Sequence, residues 1–152
     1  MPMWSTETDS SRIAVVIPCY RVAGQISGVI RGIPSFVHTI IAVDDCSPDD
    51  TGRLLDELAK TDPRLVVIHH SKNQGVGGAM ISGYMEALSR GGDVVVKMDG
   101  DGQMDPSYLE DLVAPILDGD AEYTSGNRFY YLAFLAEMPW LRRLGNLGLS
   151  FL

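Results

Sequence analysis

Short runs of consecutive apolar residues recur along the chain and predict the strands of a sheet. The runs are continuous rather than alternating, which is typical of strands covered on both faces, as in parallel sheets. The four clearest runs are 13–17, 39–43, 65–68 and 93–98. A fifth strand is predicted around Ala121–Ser125.

Segments with apolar residues at helical spacing follow these runs. The predicted helices carry their apolar residues at 26, 29, 30 and 33, at 54, 55 and 58, within 75–90, and at 109, 112, 113 and 116. Asp49 and Asp50 are candidate caps for the second helix, and Pro106 fits the first turn of the fourth. The alternation of strands and helices predicts an α/β fold: a Rossmann-like, doubly wound, mainly parallel sheet with helices on both faces.

The two ends of the chain depart from this pattern. Residues 1–12 are polar and acidic, without the positive start and apolar core of a signal peptide. Residues 129–152 are rich in apolar and aromatic residues up to the last one. We expect a polar tail over 1–12, one domain over 13–128, and a further segment from 129 that is cut short.

The composition is that of one ordinary acidic domain of 152 residues, with 12 Lys+Arg, 20 Asp+Glu and a net charge of −8. This balance argues against nucleic acid as a partner, because phosphate binding needs a basic face. Cys19 and Cys46 form neither a disulfide framework nor a zinc pattern, and we expect reduced, partly buried thiols. No stretch reaches the ~18 apolar residues of a membrane span, so the predicted location is cytoplasmic.

Polar residues and glycines collect where the predicted strands end, at 18–20, 44–47, 72–75 and 99–103. In an open parallel sheet, ligands bind beyond the carboxyl ends of the strands. One rim of the sheet is therefore the predicted active site.

Asp99 and Asp101 place two carboxylates on one bent loop, and Gln103 adds a carbonyl oxygen at the next alternate position. Oxygen ligands of this kind suit Mg²⁺ or Mn²⁺. The alternative is a glycine-rich turn whose aspartates bond their own backbone. Lys97, within the fourth strand, is assigned no role.

Two doublets of polar residues follow the second and third strands. Asp44 and Asp45 could hold a metal or hydrogen-bond a ribose or base, and the alternative is helix capping by Asp45 or Ser47. His69 and His70 have no third ligand at metal spacing. We interpret them as a histidine pair at the rim.

These motifs together resemble glycosyltransferase family 2, whose members have the GT-A fold. Within that family they are most similar to the polyprenyl-phosphate sugar transferases, the dolichyl-phosphate mannose synthases among them. The matching segments are 15–20, 43–47, 73–83, 98–106, 126–128 and 138–146. Each motif alone is weak, but the ordered set covers almost the whole chain.

The resemblance implies a role for each motif. A nucleotide-sugar donor would contact Pro18, Tyr20, Asp44, Asp45, Asn73, Gly75 and Asp99. Asp99, Asp101 and Gln103 would bind the Mg²⁺ or Mn²⁺ that bridges the donor diphosphate. Asp101 and Arg128 are the implied catalytic residues, and Arg128, with Arg142 as a second candidate, would contact the acceptor phosphate.

The implied reaction is a metal-dependent, inverting transfer of a sugar from a GDP- or UDP-linked donor to a polyprenyl phosphate. A phosphate acceptor is already ionised at neutral pH, which fits the lack of a convincing general base after the metal motif. Two alternatives stay open: a non-catalytic fragment that binds nucleotide-sugar, and a family 2 transferase acting on a glycan hydroxyl. Relatives continue well past residue 152, so we expect truncation at the C-terminus.

Residues 129–152 mix aromatic and cationic side chains, as a segment at a membrane interface does. We expect this segment to begin the acceptor side and to contact the inner face of a membrane. The alternative is a helix that packs on a further part of the protein.

Overall fold

The sheet consists of four parallel strands. The computed structural model describes residues 11–126. The strands are β1 (Ile13–Cys19), β2 (Thr39–Asp44), β3 (Leu65–His69) and β4 (Val94–Lys97), in the order β3-β2-β1-β4. Each neighbouring pair is parallel. The predicted parallel sheet is confirmed, and each strand falls on one of the four apolar runs.

The helices of residues 11–126 also follow the predicted pattern. They are α1 (Ile26–Gly32), α2 (Thr51–Ala59), α3 (Gly75–Ser89) and α4 (Leu109–Leu117). A 3₁₀ turn over Pro106–Tyr108 precedes α4, with Pro106 in its first turn as expected. At the start of α2, the Asp49 carboxylate accepts a hydrogen bond from the Thr51 N–H at 3.2 Å. Asp50 occupies the cap position but makes no side-chain bond to the backbone of the first turn, so only Asp49 caps this helix through its side chain.

Helices cover both faces of the sheet. Val15 and Ile17 of β1 share one core with α1, α2 and α4, whereas Ala14 and Val16 share a second core with α3. The chain runs outward from β1 to β3 and then returns to the other side of β1. Right-handed crossovers in opposite directions require helices on opposite faces. The sheet is therefore doubly wound, as predicted.

Helix α3 packs very close to β1. A Cβ atom at Gly83 would collide with the side chain of Val16, and Ala79, which also belongs to α3, is fully buried. Small residues thus let α3 lie directly on the sheet, which holds its N-terminal turn at the rim where the strands end.

The predicted fifth strand is wrong. Residues 121–126 form no strand, and Tyr123 is 81% exposed. Only Ala121 and Tyr123 would share an apolar face, which is too little apolar surface to hold a strand against the sheet. The chain divides into two units between Glu122 and Tyr123, and all the elements above belong to the first. The segment predicted over 129–152 lies outside the described residues.

Candidate active site

A cleft of about 430 Å³ opens at the carboxyl ends of the strands. Its walls come from the loops after the four strands and from the first turns of α3. The order of the strands reverses between β1 and β4, and the connecting helices diverge to opposite faces there. Open α/β sheets bind ligands in the crevice at such a switch point. The cleft lies at the rim that the sequence predicts.

Most of the predicted site residues line this cleft. They are Pro18, Tyr20, Asp45, Asn73, Gly75, Asp99 and Asp101. Asp44 and Gln103 are described but are not among the lining residues. Arg128 and Arg142 lie outside residues 11–126, so their roles stay predictions. Sequence reasoning missed Val22, Val76 and Ala79, which line the cleft with apolar side chains and resemble ordinary core residues in the sequence.

Pro18 opens the cleft between β1 and β4. The last backbone hydrogen bond on the β4 side of β1 runs from the Met98 N–H to the Val16 carbonyl, at 3.0 Å. Backbone groups two residues apart face the same neighbour in a strand, so Pro18 faces the β4 side, where it has no N–H to donate. The β1–β4 ladder therefore ends here, while β1 continues to pair with β2 through Cys19 and Asp44.

The loop after β4 presents two carboxylates to the cleft. The Lys97 ammonium lies 2.6 Å from Asp99 Oδ1, and the Gln103 N–H donates to Asp101 Oδ1 at 3.0 Å. Gly102 takes a φ of 78°, which favours glycine. The turn that the sequence offers as an alternative to a metal site is thus present at Asp101, and both carboxylates still line the cleft.

Asp99 and Asp101 offer carboxylate oxygens that suit a divalent cation, and water and substrate phosphates would supply its other ligands. Residues 11–126 contain no cluster of three or more His, Cys, Asp or Glu side chains around one metal position. Mg²⁺ does not need such a cluster, because it is commonly held by one or two carboxylates together with water and substrate phosphates. Two carboxylates on one cleft wall match that donor set.

Asp45 is the buried acid of the site. Its exposed fraction is 3%, and its Oδ1 accepts hydrogen bonds from the His70 ring Nδ1 at 2.7 Å and from the Gln74 N–H at 2.8 Å. Burial alone would raise the pKa of Asp45, but the Gln74 N–H and the His70 ring outweigh it, so the pKa lies below its ordinary value. Asp45 is therefore an ionised acceptor at neutral pH.

Asp44 serves a different part of the fold. Its Oδ1 accepts from the Ser47 N–H at 3.0 Å, and its Oδ2 lies 3.2 Å from His69 Nδ1. The other ring nitrogen of His69 lies 2.9 Å from Asp56 in α2. A Cβ at Gly52 would come within 2.6 Å of Asp44 Oδ2, so glycine leaves room for this contact. Asp44 stabilises the loop and the α2 face, and its predicted contact with the donor stays a prediction.

Each of the two aspartates pairs with one of the two histidines, because successive residues along a strand point to opposite faces of the sheet. Asp44 and His69 are direct partners in the β2–β3 register, and the next residues, Asp45 and His70, point to the opposite face. Each Asp therefore meets one His: Asp44 on the α2 face and Asp45 on the α3 face. Sequence reasoning treated the histidines as a plain rim pair and missed His70. Matched doublets after adjacent parallel strands are the signal that could have revealed it.

Tyr20 and Gly75 shape the outer part of the cleft. Tyr20 is 45% exposed, and the Arg21 guanidinium lies 5.4 Å from its ring centroid. Gly75 begins α3 with a φ of 77°, and its N–H donates to the Asn73 side-chain oxygen at 3.0 Å. An exposed ring and a tight turn into a helix leave an open surface for a flat ligand group.

The two cysteines differ from each other. Cys19 is buried, and burial, together with the Asp44 charge, raises its pKa to about 12. Cys46 is free and exposed, so the expectation of a partly buried thiol is wrong for Cys46. Its φ of 58° places it in a tight loop after β2, outside the strand that would have covered it.

A protein-family model described as Glycosyl transferase family 2 matches residues 14–151. The chain belongs to glycosyl transferase family 2. This confirms the resemblance, and the cleft at the switch point is the site to which the family's chemistry is assigned below.

Characterised relatives cover nearly all of this chain. The UDP-N-acetylglucosamine–dolichyl-phosphate N-acetylglucosaminyltransferase of Methanococcus voltae is 33% identical over 92% of this chain and 61% of its own length. The polyprenol monophosphomannose synthase of Mycolicibacterium smegmatis is 37% identical over 91% of this chain and 53% of its own length. The chain thus spans between about half and three fifths of these relatives.

Solved structures share the fold. The structure of S. aureus TarS 1-349 in complex with UDP matches 70% of this chain and 32% of its own, with a TM-score of 0.58 and 23% identity. A second TarS 1-349 structure matches 79% of this chain and 40% of its own, with a TM-score of 0.59 and 19% identity. At such identities the likeness shows the GT-A fold alone. Within residues 11–126, no helix is both long and apolar enough to cross a bilayer.

Proposed function

We propose that this chain carries the donor-binding part of a family 2 transferase that moves a sugar from a nucleotide-linked donor to a polyprenyl phosphate. The observation that carries the proposal is one cleft, at the switch point of the sheet, lined by Asp45, Asp99 and Asp101. The named relatives support the acceptor class, because both are transferases to a polyprenyl or dolichyl phosphate.

The nucleoside part of the donor would bind at the Asp45 end of the cleft. An ionised, buried carboxylate accepts hydrogen bonds from base N–H or ribose hydroxyl groups at little cost in ordering. Tyr20, at the cleft wall, presents a ring face on which a base can stack. Both GDP- and UDP-linked donors fit this description.

The diphosphate would lie toward Asp99 and Asp101, which would hold a Mg²⁺ or Mn²⁺ ion. When bound, such an ion neutralises the charge that develops on the departing nucleoside diphosphate. The two carboxylates would then hold the cation in a fixed position relative to the diphosphate and the sugar. Gln103 supports Asp101 through its backbone N–H, and its predicted role as a direct ligand stays a prediction.

In the proposed transfer, an oxygen of the acceptor phosphate attacks the anomeric carbon and forms the new C–O bond. The bond to the diphosphate breaks with its electron pair remaining on the diphosphate oxygen, and the configuration inverts. The acceptor is already ionised, so no proton has to be removed. Arg128, with Arg142 second, would pair with the acceptor phosphate through its guanidinium, and residues 129–152 would contact the membrane surface.

Calorimetric titration with UDP-sugar and GDP-sugar, with and without Mn²⁺, tests donor binding. Mn²⁺-dependent binding of one donor is expected in the wild-type chain and is expected to disappear in Asp101→Ala. Asp120→Ala, an exposed carboxylate outside the cleft, is the control and should bind as wild type. Unchanged metal-dependent affinity in Asp101→Ala would overturn the proposed site.

Transfer itself is tested with a radiolabelled donor and polyprenyl phosphate in detergent micelles. Label in the lipid extract is the expected result. Label on a water-soluble glycan would instead support a hydroxyl acceptor. Donor binding without transfer to either acceptor would support the non-catalytic alternative for this chain.

A further inference from the structure

A buried hydrogen-bonded chain runs from α3 to the cleft through His70. The side chains of His70 and Asp45 are 6% and 4% exposed and are joined by the 2.7 Å contact of Nδ1 with Oδ1. On the far side of the ring, Nε2 lies 2.9 Å from the Ser82 hydroxyl of α3. His70 is thus held at both nitrogens, and only the Asp45 end of the chain lines the cleft.

The chemistry of Asp45 fixes the direction of these bonds. A carboxylate only accepts hydrogen bonds, so the His70 proton on this side must lie on Nδ1. Ser82 can donate to a bare Nε2 or accept from a protonated one, so it holds the ring in either state. With the Gln74 N–H on the same oxygen, Oδ1 has two donors, and the backbone of Gly75 also hydrogen-bonds to this carboxylate. A carboxylate offers about four lone-pair positions, so the Asp45 carboxylate at the cleft wall keeps capacity to accept from a ligand.

We propose that His70 is a positioning residue for the nucleotide donor: it fixes Asp45 so that its carboxylate is presented to the nucleoside at the cleft wall. This inference rests on the proposed function, because it assigns Asp45 to the donor. It adds a residue that touches no substrate and that reaches the site only through Asp45.

The connectivity Ser82–His70–Asp45 is also that of a nucleophilic triad, but its placement excludes that role. In a triad the serine faces the substrate and the acid is buried behind the histidine. Here Ser82 lies within α3 and is not among the residues that line the described cleft, whereas Asp45 is. The hydrogen bonds from Ser82 through His70 therefore orient the Asp45 carboxylate and do not activate the Ser82 hydroxyl.

Two amide substitutions separate positioning from packing. In His70→Asn, the amide nitrogen takes the place of Nδ1 and still donates to Asp45. In His70→Gln, the amide reaches the place of Nε2, keeps the contact with Ser82 and leaves Asp45 without its ring donor. Gln matches the volume of His more closely than Asn does. If His70 serves only packing, His70→Gln should retain nucleotide affinity better, whereas if His70 positions Asp45, His70→Asn should retain it better.

The probes are UDP and GDP, titrated separately in the presence of Mn²⁺ by calorimetry, with thermal melts of each variant. For the nucleotide that wild type binds, we expect affinity within about threefold in His70→Asn and a loss of roughly tenfold to a hundredfold in His70→Gln, the range for a hydrogen bond to a charged group. Equal affinity in both variants and wild type, or retention by Gln with loss in Asn, would overturn the proposal while leaving the donor site intact.

Two further outcomes are distinguished. If wild type binds neither nucleotide, the proposed function fails, and the inference fails with it. If the variants do not fold, ¹⁵N NMR of wild type replaces them: we expect a proton on His70 Nδ1 whose resonance moves when the bound nucleotide is added. A ring without a proton on Nδ1, or a resonance that does not shift when the nucleotide is added, would overturn the positioning role of His70 and leave the proposed function standing.

Discussion

The ammonium of Lys97 lies 2.6 Å from Asp99 Oδ1, so the first carboxylate of the candidate metal pair already has a cationic partner. The side chains of both residues are more than a third exposed, at 39% and 35%. Lys97 is the last residue of β4 and is exposed, and its ammonium meets Asp99 at the rim of the sheet. A residue to which the sequence assigns no role is thus adjacent to the proposed metal ligands.

Removing this charge is expected to strengthen metal binding. In Lys97→Met the stem is kept and the repulsion between ammonium and cation is lost, so Mn²⁺ affinity without nucleotide should rise roughly 1.5-fold to fivefold, in the range of exposed ion pairs. Free Mn²⁺, followed by electron paramagnetic resonance during a titration, measures this. Lys97→Arg keeps the charge and serves as the control. Equal or weaker Mn²⁺ binding in Lys97→Met would contradict the proposed position of the cation.

His69 is expected to make stability depend on pH. The hydrogen bond to Asp56 raises its pKa, burial opposes the shift, and Asp44 adds to it. A raised pKa means that the folded state favours the charged ring. The stabilisation is therefore complete below the unfolded value of about 6.5 and is lost as the pH rises through the folded pKa.

Urea unfolding of wild type and His69→Gln at pH 5.5 and pH 8.5 tests this. The variant should lose about 0.5–1 kcal/mol more at pH 5.5 than at pH 8.5, a range set by the partial exposure of the pair. Asp56→Asn should lower the His69 pKa in an NMR titration. Asp45, whose pKa is lowered, acts in a separate window, since its contribution is lost only as the pH falls below about 4. An equal loss at both pH values would remove His69 as the cause.

The sheet and the place of the site follow from the sequence because they rest on local patterns. Continuous apolar runs such as Ile13–Ile17 are typical of strands buried on both faces, and polar residues after such strands meet at one rim. These rules predicted the positions of Asp45, Asp99 and Asp101 on one cleft. The failed strand at 121–125 had only a partial version of the same pattern.

The remaining details depend on register and on packing between elements. The pairing of Asp45 with His70 needs the β2–β3 register, in which Asp44 lies opposite His69. The matched doublets are consistent with that alignment, but the apolar runs of the two strands alone do not fix it. A shift by one residue would pair Asp44 with His70 or Asp45 with His69, and it would send the side chains of the shifted strand to the other face. The exposure of Cys46 likewise follows from the loop conformation after β2.

Gly83 is expected to be required for the position of α3. In Gly83→Ala, the added methyl collides with Val16, so α3 must move away from β1 at a cost of about 1–3 kcal/mol. Gly77→Ala in the same helix is the control: no atom lies within 4 Å of the added Cβ, and the helix should gain about 0.5–1 kcal/mol. Urea unfolding of both variants measures the difference. Equal stability of the two would show that α3 does not depend on this close contact.

Arg21 is expected to be strained. Its φ of 56° lies in the left-handed region, which costs an ordinary residue roughly 1–2 kcal/mol and is better tolerated by asparagine. Arg21→Asn and Arg21→Ala both remove the contact with the Tyr20 ring, so their difference isolates the backbone. We expect the Asn variant to be about 0.5–1 kcal/mol more stable than the Ala variant in urea unfolding, since Asn occurs in this region far more readily than Ala. Ala equal to or more stable than Asn would mean that the loop after β1 relaxes out of this conformation and that Tyr20 is not held at the cleft wall by the backbone.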